Sequence, residues 1–230
     1  MKPYYDKDGI TIYNGDCLDI MQTLEPNSFD LVLTDPPYGM DYQSGWRAEK
    51  HKKIILDDSI DWFEKTAFDF YKLLKENTHL YVFCNDYAIS HFRDWLEKSG
   101  FINKRTLVWV KNNHTLGDLD GDFGNKTEFI IFAHKGRRLL NGKRETNVIN
   151  ASRVDTSRHP TEKPENLISY LIKKSTNQND LILDPFMGSG TTLVAAKKLK
   201  RRAVGIELSE QYCQIAVNRL ENTLDQGTLF

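Results

Sequence analysis

Apolar residues along the chain form short runs of strand length that alternate with longer stretches of helical period. Seven short runs predict strands, at residues 10–13, 29–34, 80–83, 105–110, 128–133, 181–183 and 203–206. Apolar positions at helical spacing predict helices beginning near Asp16, Trp62, Asn85, Pro164, Thr192 and Ser209, with the second extending to Lys75. Strands that alternate with helices predict an α/β fold whose mostly parallel sheet carries helices on both faces.

The domain organisation follows from the length and from one long interruption of this pattern. A chain of 230 residues fits one α/β domain. Residues 112–125 are too long for a tight hairpin and begin a segment that runs to residue 158. We therefore predict a single domain over residues 1–230 with an inserted segment at about 112–158.

The inserted segment carries a local excess of positive charge. Residues 135–158 contain seven Lys or Arg and two acids, whereas the whole chain has a net charge of −1. Such a patch is typical of phosphate binding, although charge runs are also common on solvated surfaces. The candidate phosphate-binding residues lie here and in a polar loop at residues 40–53: Lys135, Arg137, Arg138, Lys143, Arg144, Arg47, Lys52 and Lys53.

Cysteine usage and hydropathy indicate the cellular compartment of the protein. The three cysteines are widely spaced and form no CxxC pair, which argues against a disulfide framework and against a zinc site. No apolar run is long enough for a membrane helix, and the first residues lack the apolar core of a secretory signal. We expect a cytoplasmic protein without a metal.

The first motif, FDLVLTDPPYG at residues 29–39, is an apolar strand followed by two prolines. Pro36 and Pro37 have no backbone N–H and restrict the residues before them, so the strand must end near Thr34. The rigid turn presents the carboxylate of Asp35, backbone carbonyls and the ring of Tyr38. Such a cluster of acceptors beside a ring could grip a flat molecule that carries an amino group, although Asp, Pro and Gly also form ordinary turns.

The second motif, LILDPFMGSGTT at residues 181–192, is a strand, a Gly-rich turn and a helix start. In open α/β sheets, ligands bind at such turns. The third glycine of a dinucleotide fingerprint is replaced by Leu193, and a P-loop lysine is missing. Glu207 ends the next strand, where an acid can accept bonds from ribose hydroxyls, and Asp184 can meet a cationic amine. The two acids favour a nucleoside ligand without phosphates.

Together the motifs resemble the DNA amino-methyltransferases that use S-adenosylmethionine, over nearly the whole chain. DPPY at 35–38 resembles the catalytic motif and DPFMGSG at 184–190 the cofactor motif; NGDC at 14–17, TEKP at 161–164 and GIEL at 205–208 also match. The order, with DPPY first, resembles the permuted beta group, which carries its target-recognition segment between the two motifs. The resemblance implies a Rossmann-like methyltransferase fold with the DPPY strand beside the Gly-turn strand.

The resemblance also implies roles for individual residues. Asp35 and the Pro36 carbonyl would accept the N–H groups of the target amine, and Tyr38 would stack on a base flipped out of double-stranded DNA. The implied catalytic residues are Asp35, Pro36, Pro37 and Tyr38. The implied cofactor-binding residues are Asp16, Cys17, Asp35, Thr161, Lys163, Asp184, Pro185, Phe186, Gly188, Ser189, Gly190, Thr191, Glu207 and Leu208, of which Thr161 and Lys163 would lie near the methionine carboxylate.

Several functions stay open at the level of the sequence. Asp35 favours adenine N6 as the acceptor, because cytosine N4 enzymes of the family more often have Ser at this position. RNA or a protein glutamine is a less favoured acceptor. A catalytically silent DNA-binding protein of the same fold is the alternative from another class, whereas an NAD-dependent oxidoreductase is disfavoured by Leu193. A homodimer and a cognate restriction endonuclease are further partners that the resemblance allows.

Overall fold

The computed structural model describes residues 2–37, 61–114, 120–121, 123–153 and 162–223. Within these ranges the strands are β1 (Tyr5–Lys7), β2 (Ile10–Asn14), β3 (Phe29–Thr34), β4 (Leu74–Cys84), β5 (Ile102–Val110), β6 (Thr127–Lys135), β7 (Val148–Asn150), β8 (Leu181–Asp184) and β9 (Arg202–Glu207). The helices are α1 (Cys17–Met21), α2 (Trp62–Leu73), α3 (Ile89–Lys98), α4 (Glu165–Ser175), α5 (Thr191–Lys198) and α6 (Glu210–Glu221).

All of these strands form one sheet in the order β1-β2-β9-β8-β3-β4-β6-β5-β7. The neighbours from β2 to β4 are parallel, as are β5 and β7, whereas β1 and β6 run antiparallel to their partners. The carboxyl ends of β2, β9, β8, β3, β4, β5 and β7 therefore lie along one side of the sheet, the carboxyl edge; the opposite side is the amino edge. The predicted α/β fold with a mostly parallel sheet is confirmed.

The sheet has a hydrophobic core on each face, because consecutive strand residues point to opposite sides. Leu31 and Leu33 of β3 belong to one core, which includes apolar residues of α4, α5 and α6. Val32 belongs to the other, which includes residues of α1, α2 and α3. The predicted placement of helices on both faces is confirmed.

Two predicted boundaries between residues 62 and 83 are wrong. The helix predicted to end at Lys75 ends at Leu73, and the following strand begins at Leu74 instead of residue 80. Helical spacing of apolar residues continues through Leu74, but Leu74 pairs with Phe29 of β3, so the sheet determines its conformation. Lys75 then lies on the strand, 2.8 Å from the carboxylate of Asp30.

The inserted segment is in part regular structure. β5 and β6 form an antiparallel pair on either side of residues 111–126, and β7 adds in parallel to β5. The strand β7 was not predicted, since three residues give too short an apolar pattern to detect. The single domain with an insertion at 112–158 stays a prediction. No helix of the described ranges is long and apolar enough to cross a membrane.

Candidate active site

Both sequence motifs end at neighbouring positions on the carboxyl edge. β3, which leads into Asp35, pairs directly with β8, which ends in Asp184, and β8 pairs with β9, which ends in Glu207. The predicted adjacency of the DPPY strand and the Gly-turn strand is thus confirmed. The two motifs also touch, because the Thr34 hydroxyl donates to Asp184 Oδ1 at 2.9 Å.

Asp184 is a buried acid at the centre of this edge, with 4% of its surface exposed. Its Oδ1 also accepts the backbone N–H of Phe186 at 3.2 Å. Burial raises the pKa of Asp184 to about 7, although bonds from Thr192 and Thr34 act in the opposite direction. Among the described residues it has no ion-pair partner. A buried carboxyl group of this kind suits a cationic ligand group.

Glu207 is held in a fixed orientation by backbone amides. Its Oε2 accepts from Gly188 N at 3.1 Å, and its Oε1 accepts from Ser209 N at 2.8 Å. Burial raises the pKa of Glu207, and these N–H bonds limit the increase. Each oxygen keeps a lone pair for a further donor. The carboxylate can therefore accept two further hydroxyl groups, and its predicted contact with a ribose stays a prediction.

The Gly-rich turn depends on its glycines for different reasons. Gly188 has φ +51°, and Gly190, which caps α5, has φ +81°. A Cβ on Gly190 would lie 2.7 Å from the Cβ of Ala216 in α6. The sequence predicts that both glycines let a ligand approach the backbone and that they adopt conformations which other residues resist. The positive φ angles confirm the second expectation, and the first stays a prediction. At Gly190, the structure also shows a close approach of α6.

The side chains of Ser189 and Thr191 contact α6. The Arg219 guanidinium donates to the Ser189 carbonyl at 2.8 Å, to Ser189 Oγ at 2.9 Å and to Thr191 Oγ1 at 3.2 Å. It also lies 2.8 Å from Glu162 Oε1. Arg219 therefore ties the Gly-rich turn to the segment that carries Lys163. Sequence analysis missed Arg219, because it lies on the polar side of a helix, where arginine is common.

The remaining predicted cofactor residues line the same edge with different exposure. Asp16 is exposed and caps α1 by accepting from Leu18 N at 2.8 Å. Cys17 is buried, and burial raises the pKa of its thiol to about 12, so it presents no thiolate. Phe186 packs against Trp62 with ring centroids 5.2 Å apart. Pro185 is buried, whereas Leu208 is largely exposed.

Asp35 belongs to a row of alternating charges. Lys163 Nζ lies 2.6 Å from Asp35 Oδ2 and 3.1 Å from Glu128 Oε2, and Lys111 Nζ lies 2.8 Å from Glu128 Oε1. We call Asp35, Lys163, Glu128 and Lys111 the charge row. Lys163 was predicted to lie near a ligand carboxylate; its ammonium is shared between two carboxylates of the protein. Sequence analysis missed Glu128 and Lys111, and a charged residue at the start of an apolar strand, as at Glu128, is the signal that could have found them.

Several predicted site residues lie outside the described ranges. These are the catalytic candidate Tyr38, the cofactor candidate Thr161 and the phosphate-binding candidates Arg47, Lys52 and Lys53. Pro36 and Pro37 are described and directly follow Asp35, and β3 ends at Thr34 as the prolines predict.

The prediction that Lys135 binds phosphate is contradicted by its burial. Its side chain is 5% exposed, and its ammonium donates to Asn27 Oδ1, the Tyr71 carbonyl and the Leu74 carbonyl at 2.7–2.9 Å. Since Lys135 pairs with Thr78, six residues before the end of β4, it lies roughly 20 Å from the carboxyl edge. Lys135 stabilises the junction between α2 and β4.

The other basic residues between positions 136 and 144 also lie towards the amino edge. The Arg138 carbonyl is 3.1 Å from His79 Nε2, and its guanidinium is 3.7 Å from Asp180, which precedes β8. The Lys143 carbonyl accepts from Lys174 near the end of α4. Arg137, Lys143 and Arg144 are exposed, and their predicted binding of phosphate stays a prediction.

The chain belongs to the family of DNA methylases that act on N6 or N4 amines, whose match covers residues 29–218. The predicted family is confirmed. Among curated relatives, the Type II methyltransferase M2.LlaDCHI of Lactococcus lactis is 30% identical, over 98% of this chain and 94% of its own. The putative methylase YubD of Escherichia coli is 33% identical, over 93% of this chain and 92% of its own.

Solved structures agree with the fold. The complex of M1.HpyAVI with SAM is 32% identical and superposes with a TM-score of 0.71, covering 92% of this chain and all of that chain.

Proposed function

We propose that the protein transfers the methyl group of S-adenosylmethionine to the N6 amine of an adenine at specific sites in double-stranded DNA. The observation that carries the proposal is the direct contact of the two motifs on the carboxyl edge. Thr34, which precedes Asp35, is bonded to Asp184, which precedes the Gly-rich turn. A methyl acceptor at Asp35 and a methyl donor at the Gly-rich turn would therefore meet.

The residues present suit this cofactor. The fixed Glu207 carboxylate fits two ribose hydroxyls, and Asp184 fits the ammonium of the methionine part. M1.HpyAVI, at 32% identity, has been solved with SAM bound, which supports the same ligand here. When bound, S-adenosylmethionine supplies a methyl group carried on a sulfonium.

The protein's own residues would prepare the acceptor amine. An exocyclic aromatic amine is a poor nucleophile, because its lone pair is delocalised into the ring. Asp35 and the Pro36 carbonyl each accept one N–H, which localises the lone pair and directs it at the donor. Fixed acceptors stabilise positive charge that develops on nitrogen, and alignment of two reactants removes much of the entropic barrier. The proton leaves the nitrogen during or after transfer.

We place the DNA-contacting surface on the carboxyl edge, in a rim formed by residues 111–114, 123–126 and 150–153. The rim carries the exposed cations Lys126 and Arg153, and Phe123, with 97% of its surface exposed. A groove of about 200 Å³ runs along it, lined by Val110, Lys111, Asn112, Asn150, Ala151 and Ser152. Cations for the backbone and an aromatic ring for bases are what a nucleic-acid surface requires. We propose a homodimer and a partner restriction endonuclease as further partners, of which the endonuclease would complete a restriction-modification system.

Adenine is the proposed base because Asp35 occupies the first motif position, where cytosine N4 enzymes of the family more often have Ser. Cytosine N4 is the second candidate, since the transfer chemistry is the same. The fold does not separate the two: the PvuII DNA methyltransferase, described as cytosine-N4-specific, superposes with a TM-score of 0.81 at 19% identity, over 99% of this chain and 91% of its own.

The test is methyl transfer from labelled S-adenosylmethionine to unmethylated genomic DNA, followed by digestion to nucleosides. Label in N6-methyladenine is the expected result, and mapping of the modified positions gives the recognition site. Label in N4-methylcytosine would replace adenine by cytosine. Cofactor binding without label in DNA would refute DNA methylation by this chain and favour the silent DNA-binding alternative, or RNA or protein as acceptor.

A further inference from the structure

The charge row extends the catalytic turn across four strands of the sheet. Asp35 follows β3, Glu128 is the second residue of β6, and Lys111 follows β5. Lys163 reaches this row from the segment before α4 and lies over the Phe83 ring of β4, 5.3 Å from its centroid. The order of charges is negative, positive, negative, positive, so each inner group faces two opposite charges.

Burial makes this alternation necessary. The side chains of Lys111 and Lys163 are 7% and 9% exposed, and that of Glu128 is 21% exposed. A buried ammonium or carboxylate is costly unless it is paired. Burial alone lowers the pKa of Lys163, but Asp35 and Glu128 outweigh it, and the net pKa is raised. Burial alone raises the pKa of Glu128, but Lys163 and Lys111 outweigh it, and the net pKa is lowered.

Two further titratable groups of the described residues interact with members of the row. The Cys84 thiol at the end of β4 interacts with Asp35 and Glu128, and burial raises its pKa strongly, so it is neutral. Asp184 on β8 interacts with Asp35. Neither supplies a cation. The cation that the described residues place beside Asp35 is Lys163, whose ammonium also lies 3.1 Å from Glu128 Oε2.

We propose that Glu128, backed by Lys111, is a positioning residue for methyl transfer, which holds the Lys163 ammonium between two carboxylates and thereby fixes the Asp35 carboxylate at the acceptor amine. Without Glu128, the whole charge of Lys163 would face Asp35 and compete with the amine for its oxygens. With Glu128 present, its carboxylate balances part of the charge of Lys163. Lys111 balances Glu128 in turn. The expected effect of Glu128 on catalysis rests on the proposed function, whereas its expected effect on the titration of Lys163 does not.

The first test is a titration of Lys163 in the full chain without cofactor. Lysine-labelled protein is followed by NMR, and the Lys163 signal is assigned by its loss in Lys163→Arg. Glu128→Gln keeps the shape and removes the charge, so Lys163 should lose its proton at a pH lower by roughly one unit or more. Lys111→Gln leaves the full charge of Glu128 facing Lys163, so the titration should move to higher pH. An unchanged Lys163 titration in Glu128→Gln would overturn the inference.

The second test measures methyl transfer to DNA as a function of pH. Glu128→Gln should lower kcat roughly 10- to 100-fold, with a smaller effect on KM for the cofactor, because it misplaces an acceptor group. The alkaline limb of kcat should move to lower pH in Glu128→Gln and should not do so in Lys111→Gln. A lower kcat with no movement of the limb would indicate a structural role only and would contradict the inference.

Glu145→Gln is the matched control, because Glu145 also pairs with a lysine, Lys174, but away from the site. It should leave kcat and the pH profile unchanged. If Glu128→Gln does not fold, the inference is tested with Lys111→Gln alone. An unchanged Lys163 titration in Lys111→Gln would refute the coupling of the charges in the row. If the wild-type chain does not methylate DNA, the proposed function fails, whereas the NMR titration still confirms or refutes the coupling of Glu128 to Lys163.

Discussion

Asp184 offers a prediction in which stability and ligand binding oppose each other. Its pKa rises from an ordinary 3.8 to about 7 through burial. At about 1.4 kcal/mol for each factor of ten in proton affinity, ionised Asp184 costs the folded state roughly 4 kcal/mol at most. Since the folded-state pKa is raised, the cost is absent below pH 3.8, grows as the pH rises, and is complete above about pH 7.

Asp184→Asn removes the ionisation and keeps an oxygen that can accept from Thr34 and Phe186 N. Without cofactor, the variant should gain stability relative to wild type as the pH rises, by roughly 2–3 kcal/mol between pH 5 and pH 8. Urea unfolding at the two pH values measures the difference. Asp6→Asn, at an exposed acid, is the control and should show no such change.

The same variant should bind S-adenosylmethionine more weakly, because the amide cannot pair with an ammonium. A lost bond to a charged group predicts a Kd roughly 10- to 100-fold higher, measurable by calorimetry. A stability difference that does not change with pH would refute the burial of an ionisable Asp184. Unchanged affinity would refute its contact with the ammonium.

Three further predictions test the turn, the sheet and the corrected lysine. Gly190→Ala should destabilise the protein by roughly 2–4 kcal/mol in urea unfolding, through its φ of +81° and the contact with Ala216, whereas Gly142→Ala, with φ +72° and open surroundings, should cost only about 1 kcal/mol. Burial lowers the pKa values of His79 and His134 to about 4, so the free energy of unfolding should fall as the pH drops from 6.5 towards 4. His134→Gln should make this fall shallower, and an equal dependence of the unfolding free energy on pH in variant and wild type would contradict this. Lys135→Met should cost a few kcal/mol by leaving buried acceptors unpaired while DNA affinity at a permissive temperature stays that of wild type; weaker DNA binding by the folded variant would restore its predicted phosphate role.

The parts of the fold that could be predicted are those set by local chemistry. Pro36 and Pro37 end β3 at Thr34 whatever the rest of the chain does. Asp16 caps α1 because its side chain reaches an amide two residues away. Parallel packing then brings the strand-end acids to one edge. The motif residues could be found for this reason.

The parts that could not be predicted depend on which strands pair and in which register. Glu128 meets Lys111 because Trp109 pairs with Glu128 across a long excursion, and no local pattern fixes that register. In the sequence, Lys135 is one of several cations in a basic segment. Its ammonium binds carbonyls at the junction of α2 and β4, where the sequence predicts the helix end two residues too late and the strand start six residues too late. A charge count along the sequence cannot separate a buried cation from an exposed one.

The contact between Arg219 and the Gly-rich turn has a consequence for the time at which the site forms during synthesis. Asn14 Nδ2 donates to the carbonyls of Glu207 and Leu208, so the cofactor half of the edge joins the first part of the chain to the end of β9, just before α6. The DPPY strand, by contrast, is made early. A nascent chain that stops before α6 has the acceptor turn and the amides of Gly188 and Ser209 that bond Glu207, but it lacks Arg219, which holds the Gly-rich turn. The Gly-rich turn should therefore reach its final form only after α6 has been made.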